Sequence, residues 1–472
     1  MLGAVLFAAA ALIGALPYGY PDNGDFQRYN RSFVAGPAGA VAPSPETLEE
    51  WRAGFPVRRW HRYWILRSGP GAPSLDPGAG TTNLLWLPGR AFHRLAHPGP
   101  VLDLVDLAIL PRLLILAAVT MLAAAVARDA HLRRAPWVLI AVVPWALALT
   151  ASSMTAWLNT FFREAGTFTF AALFVAVLAL APALGRLSAA MAVLVAGGLL
   201  VATAPAHGPL APLVALAAWD VARRAPPDRS HRWPRTLLVV AGIAGVLAVG
   251  LWRTAAIDPD LRRAAAFNSL FLGLLPLSEE PAEHLERLGF PATATARIGH
   301  GAFLPESRRL RRLHGGELDH RDLLDVFWHE PRLVPRVALA AAQIVNRTSI
   351  GRRQLFADDA PRPRGEPGWN LWGELQRRWF PRGLAYLLYC PAALAAGLLA
   401  VRGRDAWRTA TGRIVVVSVG CSLLELAVKY LGDGPTERVR HLVAANFFLG
   451  TSLAALLWLG LQLVARRDHP AD

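Results

Sequence analysis

The sequence predicts an all-α polytopic membrane protein with about ten transmembrane helices. Of its 472 residues, 54% are hydrophobic, and the mean hydropathy is +0.32, which is too apolar for an ordinary soluble protein of this size. Several apolar runs approach the roughly 20 residues that a helix needs to span a bilayer. Arginine accumulates between these runs, where basic residues orient membrane helices. The net charge of +15 therefore reflects membrane topology, and we expect no nucleic-acid partner.

The first apolar run, residues 1–16, is predicted to be a membrane helix rather than a cleaved signal peptide. It has no basic segment before it and no clear small-x-small cleavage motif. Residues 17–103 are polar and rich in proline and aromatic residues, which predicts a long first outer loop with interfacial helices near 84–95. Six further apolar runs follow, at about 104–127, 136–156, 167–185, 188–206, 209–222 and 236–252.

A hydrophilic stretch, 253–382, separates these runs from the last three, at 383–401, 414–431 and 443–465. Its two apolar segments, 264–277 and 333–345, have only about 13 or 14 residues, which favours interfacial or buried helices over spans. The chain therefore divides into an amino-terminal transmembrane module, an extracytoplasmic loop or small domain, and a carboxyl-terminal three-helix module. The boundaries of these parts are 1–252, 253–382 and 383–472.

Arginine placement tests the helix count independently, because cytoplasmic loops carry the excess of basic residues. With ten spans and a cytoplasmic amino terminus, every loop on the cytoplasmic side is basic. These loops are Arg128–Arg134, the turn at Arg186, Arg223–Arg235, Arg402–Arg413 and the tail Arg466–Arg467. We therefore expect a bacterial inner-membrane protein with both termini in the cytoplasm and its functional site on the extracytoplasmic side.

Four polar sequences then lie on the same outer side. The first, Asp22-Asn23-Gly24-Asp25-Phe26-Gln27-Arg28, holds two carboxylates at the lip of the bilayer, where they are costly unless they bind, react or face water. The alternative is an exposed turn, since Asn-Gly and Asp favour turns. The others are residues 157–164, with Asn159, Arg163 and Glu164; the stretch 253–382; and residues 432–441, followed by Asn446.

The last of these sequences contains Glu437 and His441, which share one face if a helix begins by Thr436. The alternative is a capped helix entrance, with Thr436 as the cap and Glu437 near the positive end of the dipole. For Arg163 and Glu164, the alternative is a solvated loop with an ion pair that contributes little.

Other patterns are weaker. Asp258-Pro259-Asp260 has the DxD spacing of metal-dependent nucleotide-sugar enzymes, but such acidic triplets are common. The chain has neither a Walker loop nor GxGxxG, so cytoplasmic nucleotide binding has no support. Cys390 and Cys421 both lie inside apolar runs, which argues against disulfides and cysteine metal clusters.

At the outer motifs the chain resembles the bacterial multi-pass hexose transferases of surface-glycan synthesis, the WsfD type within the GT-C glycosyltransferases. The matching residues are Asp22–Phe26 with Arg28, Leu158–Glu164, Phe267–Pro291, Phe327–Pro331 and Gly432–Asn446. Two departures are Glu330, inserted where the family more often has His-Pro directly, and Arg440, where a lysine is more usual.

The resemblance implies transfer of a sugar, a hexose in this family, from a polyprenyl-phosphate donor to a cell-surface glycan or lipid-linked acceptor. One carboxylate takes the acceptor proton, and cations stabilise the leaving phosphate. The candidate catalytic residues are Asp22, Asp25 and Glu164, and which Asp is the base stays open. The candidate residues for binding substrate or lipid phosphate are Arg28, Asn159, Arg163, Asp433, Glu437, Arg438, Arg440, His441 and Asn446. No metal ligand is predicted, and the chemistry is compatible with a divalent metal without requiring one.

Two alternatives remain open. A transporter or flippase for a lipid-linked glycan would place polar groups near the midplane of the membrane, whereas here the acids lie at helix ends on one side. A non-catalytic membrane scaffold of the same fold is the other alternative, and the presence of the acids argues against it.

Overall fold

In the computed structural model the described parts of the chain are residues 2–14, 34–37, 63–66, 77–97, 101–129, 132, 135–159, 163–223, 232–314, 318–346, 371–403, 405–435 and 442–468. Within the helices and strands, a few of these residues are described by their main chain alone.

The amino-terminal part consists of helices and three short strands. In chain order they are α1 (Leu2–Gly14), β1 (Val34–Pro37), β2 (Tyr63–Leu66), α2 (Asn83–Ala96), β3 (Val101–Asp103), α3 (Leu104–Leu107), α4 (Ile109–Arg128), α5 (Ala135–Thr150), α6 (Glu164–Leu180), α7 (Arg186–Thr203), α8 (Ala211–Arg223) and α9 (Arg232–Ala255).

The middle and carboxyl-terminal parts are helical in their described residues. They contain α10 (Pro259–Asn268), α11 (Pro281–Arg287), α12 (Pro305–His314), α13 (His320–His329), α14 (Leu333–Ile344), α15 (Leu371–Trp379), α16 (Leu384–Val401), α17 (Ala406–Asp433) and α18 (Val443–Asp468). A π-helical turn, Ser269–Leu274, continues α10.

The all-α polytopic class predicted from the sequence is confirmed. Among the described residues, seven helices are long and apolar enough to cross a membrane, and they correspond to α4, α6, α7, α9, α16, α17 and α18. The other three predicted spans also form helices, but α1, α5 and α8 have only 13, 16 and 13 residues. The amphipathic helix expected near 84–95 is α2.

The first loop also contains a small sheet, which the sequence did not predict. Its order is β1-β2-β3, with both pairs antiparallel. Trp64 in β2 lies opposite Pro37 on one side and Leu102 on the other. Strands of three or four residues are too short to show a clear alternation of apolar and polar residues, although the Tyr-Trp-Ile-Leu composition of β2 suits a strand. The sheet joins three distant parts of this loop just before α3.

Helix α6 lies at the centre of the bundle. Of its most apolar stretch, 83% is buried inside the protein, against 22% for α9 and 28% for α16. The peripheral helices show exposed leucines instead, such as Leu237 in α9 and Leu388 in α16. Because lipid is as apolar as leucine, such side chains suit a membrane-facing surface.

Polar contacts concentrate at the two ends of the bundle. At one end, the Asp129 carboxylate accepts hydrogen bonds from Trp458 Nε1 and Gln462 Nε2, at 2.9 and 2.6 Å. Arg413 donates to Asp220 at 2.8 Å, and Arg466 donates to Asp405 at 2.9 Å. We call this end the basic face. The other end, the loop face, carries residues 77–97 and 256–346.

Residues 256–314 and 318–346 form a small helical unit on the loop face. The unit is organised around the buried Glu330 carboxylate, which accepts hydrogen bonds from Ser278 Oγ, the Glu279 backbone N–H and His284 Nε2 at 2.5, 3.1 and 3.0 Å. Phe271 stacks on one neighbouring phenylalanine and meets another edge-on. Glu330, which departs from the resembled family pattern, thus links α11 to the entrance of α14.

Candidate functional site

The first loop is anchored to the bundle by residues 77–82. The Thr81 hydroxyl donates to the Leu199 carbonyl oxygen at 2.7 Å and lies 2.8 Å from Thr203 Oγ1. Both partners belong to the last turn of α7. The first loop therefore meets the membrane helices at the end of α7 on the loop face.

Two glycines permit this close approach. Gly80 has a φ of +56°, and a Cβ there would lie 2.5 Å from the Ala202 and Thr203 carbonyl oxygens. A Cβ at Gly166, in the first turn of α6, would lie 2.4 Å from Thr82 Oγ1. Any larger side chain at either position would collide with this contact, so the anchor depends on both glycines.

Next to the anchor, α6 begins with two of the predicted site residues, Arg163 and Glu164. Arg163 is the N-cap residue, and Glu164 is the acidic residue of the first turn, where the helix dipole favours a negative charge. Both side chains are partly buried. The preceding turn, 156–159, contacts α3, so the end of the first loop lies against the start of this motif.

A second arginine, Arg253, reaches the same region from the last turn of α9. Its side chain is buried, with 4% exposure, and its Nη2 lies 3.5 Å from the Thr203 carbonyl oxygen. The first turn of α6, which follows Arg163, approaches the same residue, since a Cβ at Gly166 would lie 3.1 Å from Thr203 Cγ2. Arg163 and Arg253, from different helices, therefore both lie beside the anchor.

One turn below Arg163, three buried side chains form a hydrogen-bonded chain. Thr167 Oγ1 lies 2.9 Å from His207 Nε2, and His207 Nδ1 lies 2.6 Å from Glu425 Oε1. A neutral imidazole protonated on Nδ1 satisfies both contacts, because it donates to the carboxylate and accepts from the hydroxyl. All three residues are buried, so this chain of hydrogen bonds links α6, α17 and the 205–210 turn.

The amino-terminal end of the last helix, α18, lies at the same part of the loop face. The Phe447 ring meets Phe168 of α6 edge-on, with centroids 5.6 Å apart. Its neighbour Asn446, a predicted binding residue, is 1% exposed. The Asn446 side-chain oxygen accepts from the Asn346 backbone N–H at 2.8 Å, so that oxygen is engaged within the protein.

The remaining predicted site residues fall outside the described parts of the chain or are described by main chain only. Asp22, Asp25, Arg28, Glu437, Arg438, Arg440 and His441 lie outside the described residues. The main chain of Asn159 ends a 3₁₀ turn, and that of Asp433 ends α17. The next residue, Gly434, has a φ of +62°, and a Cβ there would lie 2.7 Å from the Asn268 carbonyl oxygen. Gly434, the last residue of the Gly-Asp-Gly sequence, therefore packs directly against the end of α10.

The DxD pattern has a structural explanation. The Asp258 side chain accepts hydrogen bonds from the backbone N–H groups of Asp260 and Leu261, at 2.8 and 3.3 Å. It is the N-cap of α10, which is a common position for aspartate. The Asp258 carboxylate is therefore used in capping this helix.

A known family matches this chain: the model of the YfdI N-terminal transmembrane domain covers residues 2–312. The chain belongs to the YfdI N-terminal transmembrane-domain family. This is a membrane family associated with glycosyltransferases, which agrees with the coarse prediction from the outer motifs. No curated protein and no solved structure matches the chain.

The region that matches the YfdI family includes the first-loop anchor, Arg163, Glu164, His207 and Arg253, whereas Glu425 lies beyond it. Sequence reasoning missed Arg253 and His207. Arg253 carried a usable signal, because a basic residue at the outer end of a span opposes the usual charge bias. His207 is a single histidine between two apolar runs, and its partner is 218 positions away.

The arrangement suits recognition of an anion at headgroup depth. Arginine forms bidentate hydrogen bonds with phosphate, and two such groups from separate helices can hold one phosphate between them. Glu164 contributes a carboxylate directly beside Arg163. In this YfdI family member, the pair Arg163 and Arg253 is therefore the best supported candidate for phosphate binding among the described residues.

Proposed function

We propose that this protein is a GT-C-type glycosyltransferase that moves a hexose from a polyprenyl-phosphate donor to a cell-surface glycan or lipid-linked acceptor. The observation that carries the proposal is that Arg163 and Arg253 both lie beside the end of α7 where the first loop is anchored. Membership of a glycosyltransferase-associated membrane family supports the reaction class.

In the proposed reaction, the two arginines bind the phosphate of the lipid donor. As the acceptor hydroxyl attacks the anomeric carbon, the glycosidic bond to phosphate breaks, and the guanidinium groups stabilise the charge that develops on the leaving phosphate. A carboxylate of the first loop, Asp22 or Asp25, takes the hydroxyl proton. Glu164 is the second carboxylate of the proposed site, and its proposed role is to hydrogen-bond the sugar or the acceptor.

The loop face is extracytoplasmic in this proposal, and the protein lies in the bacterial inner membrane with both termini in the cytoplasm. Two observations support this orientation. The opposite face holds Arg413 and Arg466 in ion pairs, and cytoplasmic helix ends are the ones enriched in arginine. Polyprenyl-phosphate sugars also carry their sugar outside the cell, where nucleotide sugars are absent.

The test is sugar transfer by the purified full-length protein in detergent, with a panel of synthetic polyprenyl-phosphate hexoses as donors. We expect transfer from at least one donor, and a raised KM for the donor in Arg253→Gln and Arg163→Gln. Arg253→Lys should rescue only part of the loss, because an ammonium group lacks the bidentate fork of arginine. Arg312→Gln, an exposed change in α12, is the matched control and should behave as wild type.

Three results would contradict the proposal. Transfer with unchanged donor KM in both Arg163→Gln and Arg253→Gln would remove these arginines from phosphate recognition. Movement of lipid-linked sugar across a vesicle bilayer, with no transfer from any donor in the panel, would instead identify a flippase. A protein that binds the donors without either activity would be a scaffold.

A further inference from the structure

A separate cluster of metal-ligating side chains lies where α2 meets the start of the α4 span. Its members are His93 and His97, at the end of α2, and Asp106 in α3. The Nδ1 atoms of His93 and His97 lie 2.6 and 3.0 Å from the same oxygen, Asp106 Oδ2. The three ligand atoms all lie within 4.8 Å of one another.

The backbone fixes this geometry. His93 and His97 are four residues apart, so they lie on one face of the helix end, and the His97 backbone N–H donates to the His93 carbonyl oxygen at 2.7 Å. Helix α2 crosses α3 closely, because a Cβ at Gly89 would lie only 2.6 Å from Leu107 Cα. The next turn of α2 therefore brings His93 onto Asp106.

Two of the three side chains in this cluster are buried, and the third leaves it accessible from one side. The side chains of His93 and Asp106 are 2% and 6% exposed, whereas that of His97 is 65% exposed. Two imidazoles that share one carboxylate oxygen can each donate an Nδ1–H to it. When each imidazole carries its proton on Nε2 instead, both Nδ1 lone pairs could bind a metal ion together with the Asp106 oxygen, and water could complete the coordination from the His97 side.

We propose that His93, His97 and Asp106 form a zinc site that fastens the amphipathic helix of the first loop to the first long span. Two imidazole nitrogens and one carboxylate oxygen suit zinc, whereas magnesium and calcium prefer oxygen ligands. Tetrahedral zinc, with bonds of about 2.0 to 2.1 Å, separates its ligand atoms by about 3.3 Å. The two contacts to Asp106 would have to lengthen by less than about 1 Å, and the two Nδ1 atoms, which lie within 4.8 Å of each other, would have to come to about 3.3 Å.

The carboxylate is the essential member of this site. Arg90 and Arg94 lie on the same helix and add positive charge near the cluster, so a dication depends on the negative charge of Asp106 for its affinity. This site is independent of the proposed sugar transfer, because none of its residues belongs to the arginine pair or to the predicted acids. Its direct effect is on the stability of the first loop.

The test uses the purified full-length protein in detergent, stripped with a chelator and then titrated with Zn²⁺ alone. Bound zinc is counted by elemental mass spectrometry, and thermal unfolding is followed in parallel. We expect about one zinc per chain and a higher unfolding temperature with zinc. His97→Ala and Asp106→Asn should weaken zinc binding by on the order of 100-fold or more, since even outer-shell changes cost 10- to 100-fold.

The control is His300→Ala, an exposed histidine elsewhere on the loop face, which should keep wild-type zinc binding. His97→Ala is a mild change for folding because that side chain is mostly exposed, and its unfolding temperature without zinc should match that of the stripped wild type. The proposal is overturned if the wild type binds no zinc at micromolar concentration, if His97→Ala and Asp106→Asn bind as the wild type does, or if Mg²⁺ stabilises the protein as strongly as Zn²⁺.

Discussion

The contact between Gly166 and Thr82 allows a direct test of how the first loop is held. In Gly166→Ala, the added methyl group would lie 2.4 Å from Thr82 Oγ1, 3.2 Å from Thr82 Cβ and 3.1 Å from Thr203 Cγ2. These distances are too short for van der Waals contact, so the 77–82 segment or α7 must move. Overpacking of this kind costs about 1 to 3 kcal/mol, against a gain of up to about 1 kcal/mol from replacing glycine with alanine in a helix.

The matched control is Gly245→Ala in α9, where a Cβ would meet nothing within 4 Å. This variant keeps only the helix-propensity gain and should be as stable as the wild type or slightly more stable. Gly166→Ala should unfold at a lower temperature in detergent. Under the proposed function it should also lose most of its sugar transfer, because the loop that carries Asp22 and Asp25 is displaced.

A second change separates a specific collision from general damage. Thr82→Ala removes the atom closest to the new methyl group, and Thr82 Oγ1 makes no hydrogen bond within the described part of the chain. The double variant should therefore recover part of the stability lost in Gly166→Ala, with a coupling energy of about 0.5 kcal/mol or more. Equal stability of Gly166→Ala and Gly245→Ala, or strict additivity in the double variant, would refute the close contact.

Three further predictions address the chemistry, the loop-face unit and the topology. Asp22→Asn or Asp25→Asn should lower the rate of sugar transfer by on the order of 10²- to 10⁴-fold at normal protein yield. Full activity in both variants would show that the two aspartates form an exposed turn and take no part in catalysis. Desolvation raises the pKa of Glu330, but hydrogen bonds from Ser278, His284 and the Glu279 backbone outweigh it and the pKa is lowered. The Glu330 carboxylate therefore stabilises the folded protein fully above the unfolded-state pKa of about 4.3. This stabilisation is lost as the pH falls through the pKa of Glu330 in the folded state. Glu330→Gln should destabilise the protein by about 1 to 3 kcal/mol at neutral pH, with a gap to wild type that narrows in acid, whereas the exposed change Glu286→Gln should show neither effect. Single cysteines at position 300 should react with an impermeant maleimide added outside the cell, and those at positions 130 and 230 should not; the reverse pattern would invert the topology.

The sequence predicted the helices well because the length of an apolar run and the basic residues that flank it indicate a membrane span. A helix lies at each of the ten predicted spans, and seven of these helices are long and apolar enough to cross a membrane. The segment 333–345, predicted not to span, forms the 12-residue helix α14. It did not predict the small sheet, since strands of three or four residues leave no clear periodicity. It also did not show that α5 would end at Thr150, because the apolar run continues beyond the end of that helix. The run at 209–222, in contrast, was already about as short as α8.

The candidate site was less predictable, because its contacts join residues that are distant in sequence. Arg163 and Glu164 were found from their position at the outer end of a span. His207 and Glu425 are paired across 218 positions, and no local pattern connects them. Asn446 was expected to bind substrate, yet its side-chain oxygen accepts a backbone hydrogen bond from Asn346, and only the fold reveals that partner.

Chain length limits where the predicted acids can act, although they lie outside the described residues. Helix α1 ends on the loop face, because the Leu12 carbonyl oxygen accepts from Arg112 Nε near the start of α4 at 3.2 Å. Asp22 follows Gly14 by eight residues, and eight residues of extended chain span at most about 29 Å. On the other side, Asp25 is nine residues from Val34 in the sheet, which leads through β3 into α3. Both tethers begin on the loop face, which also carries Arg163 and Arg253. Labelling at position 300 therefore tests the proposed donor as well as the topology. If the loop face proved cytoplasmic, the acids and the arginine pair would be exposed to nucleotide sugars. The proposed lipid-phosphate donor would then be wrong together with the orientation.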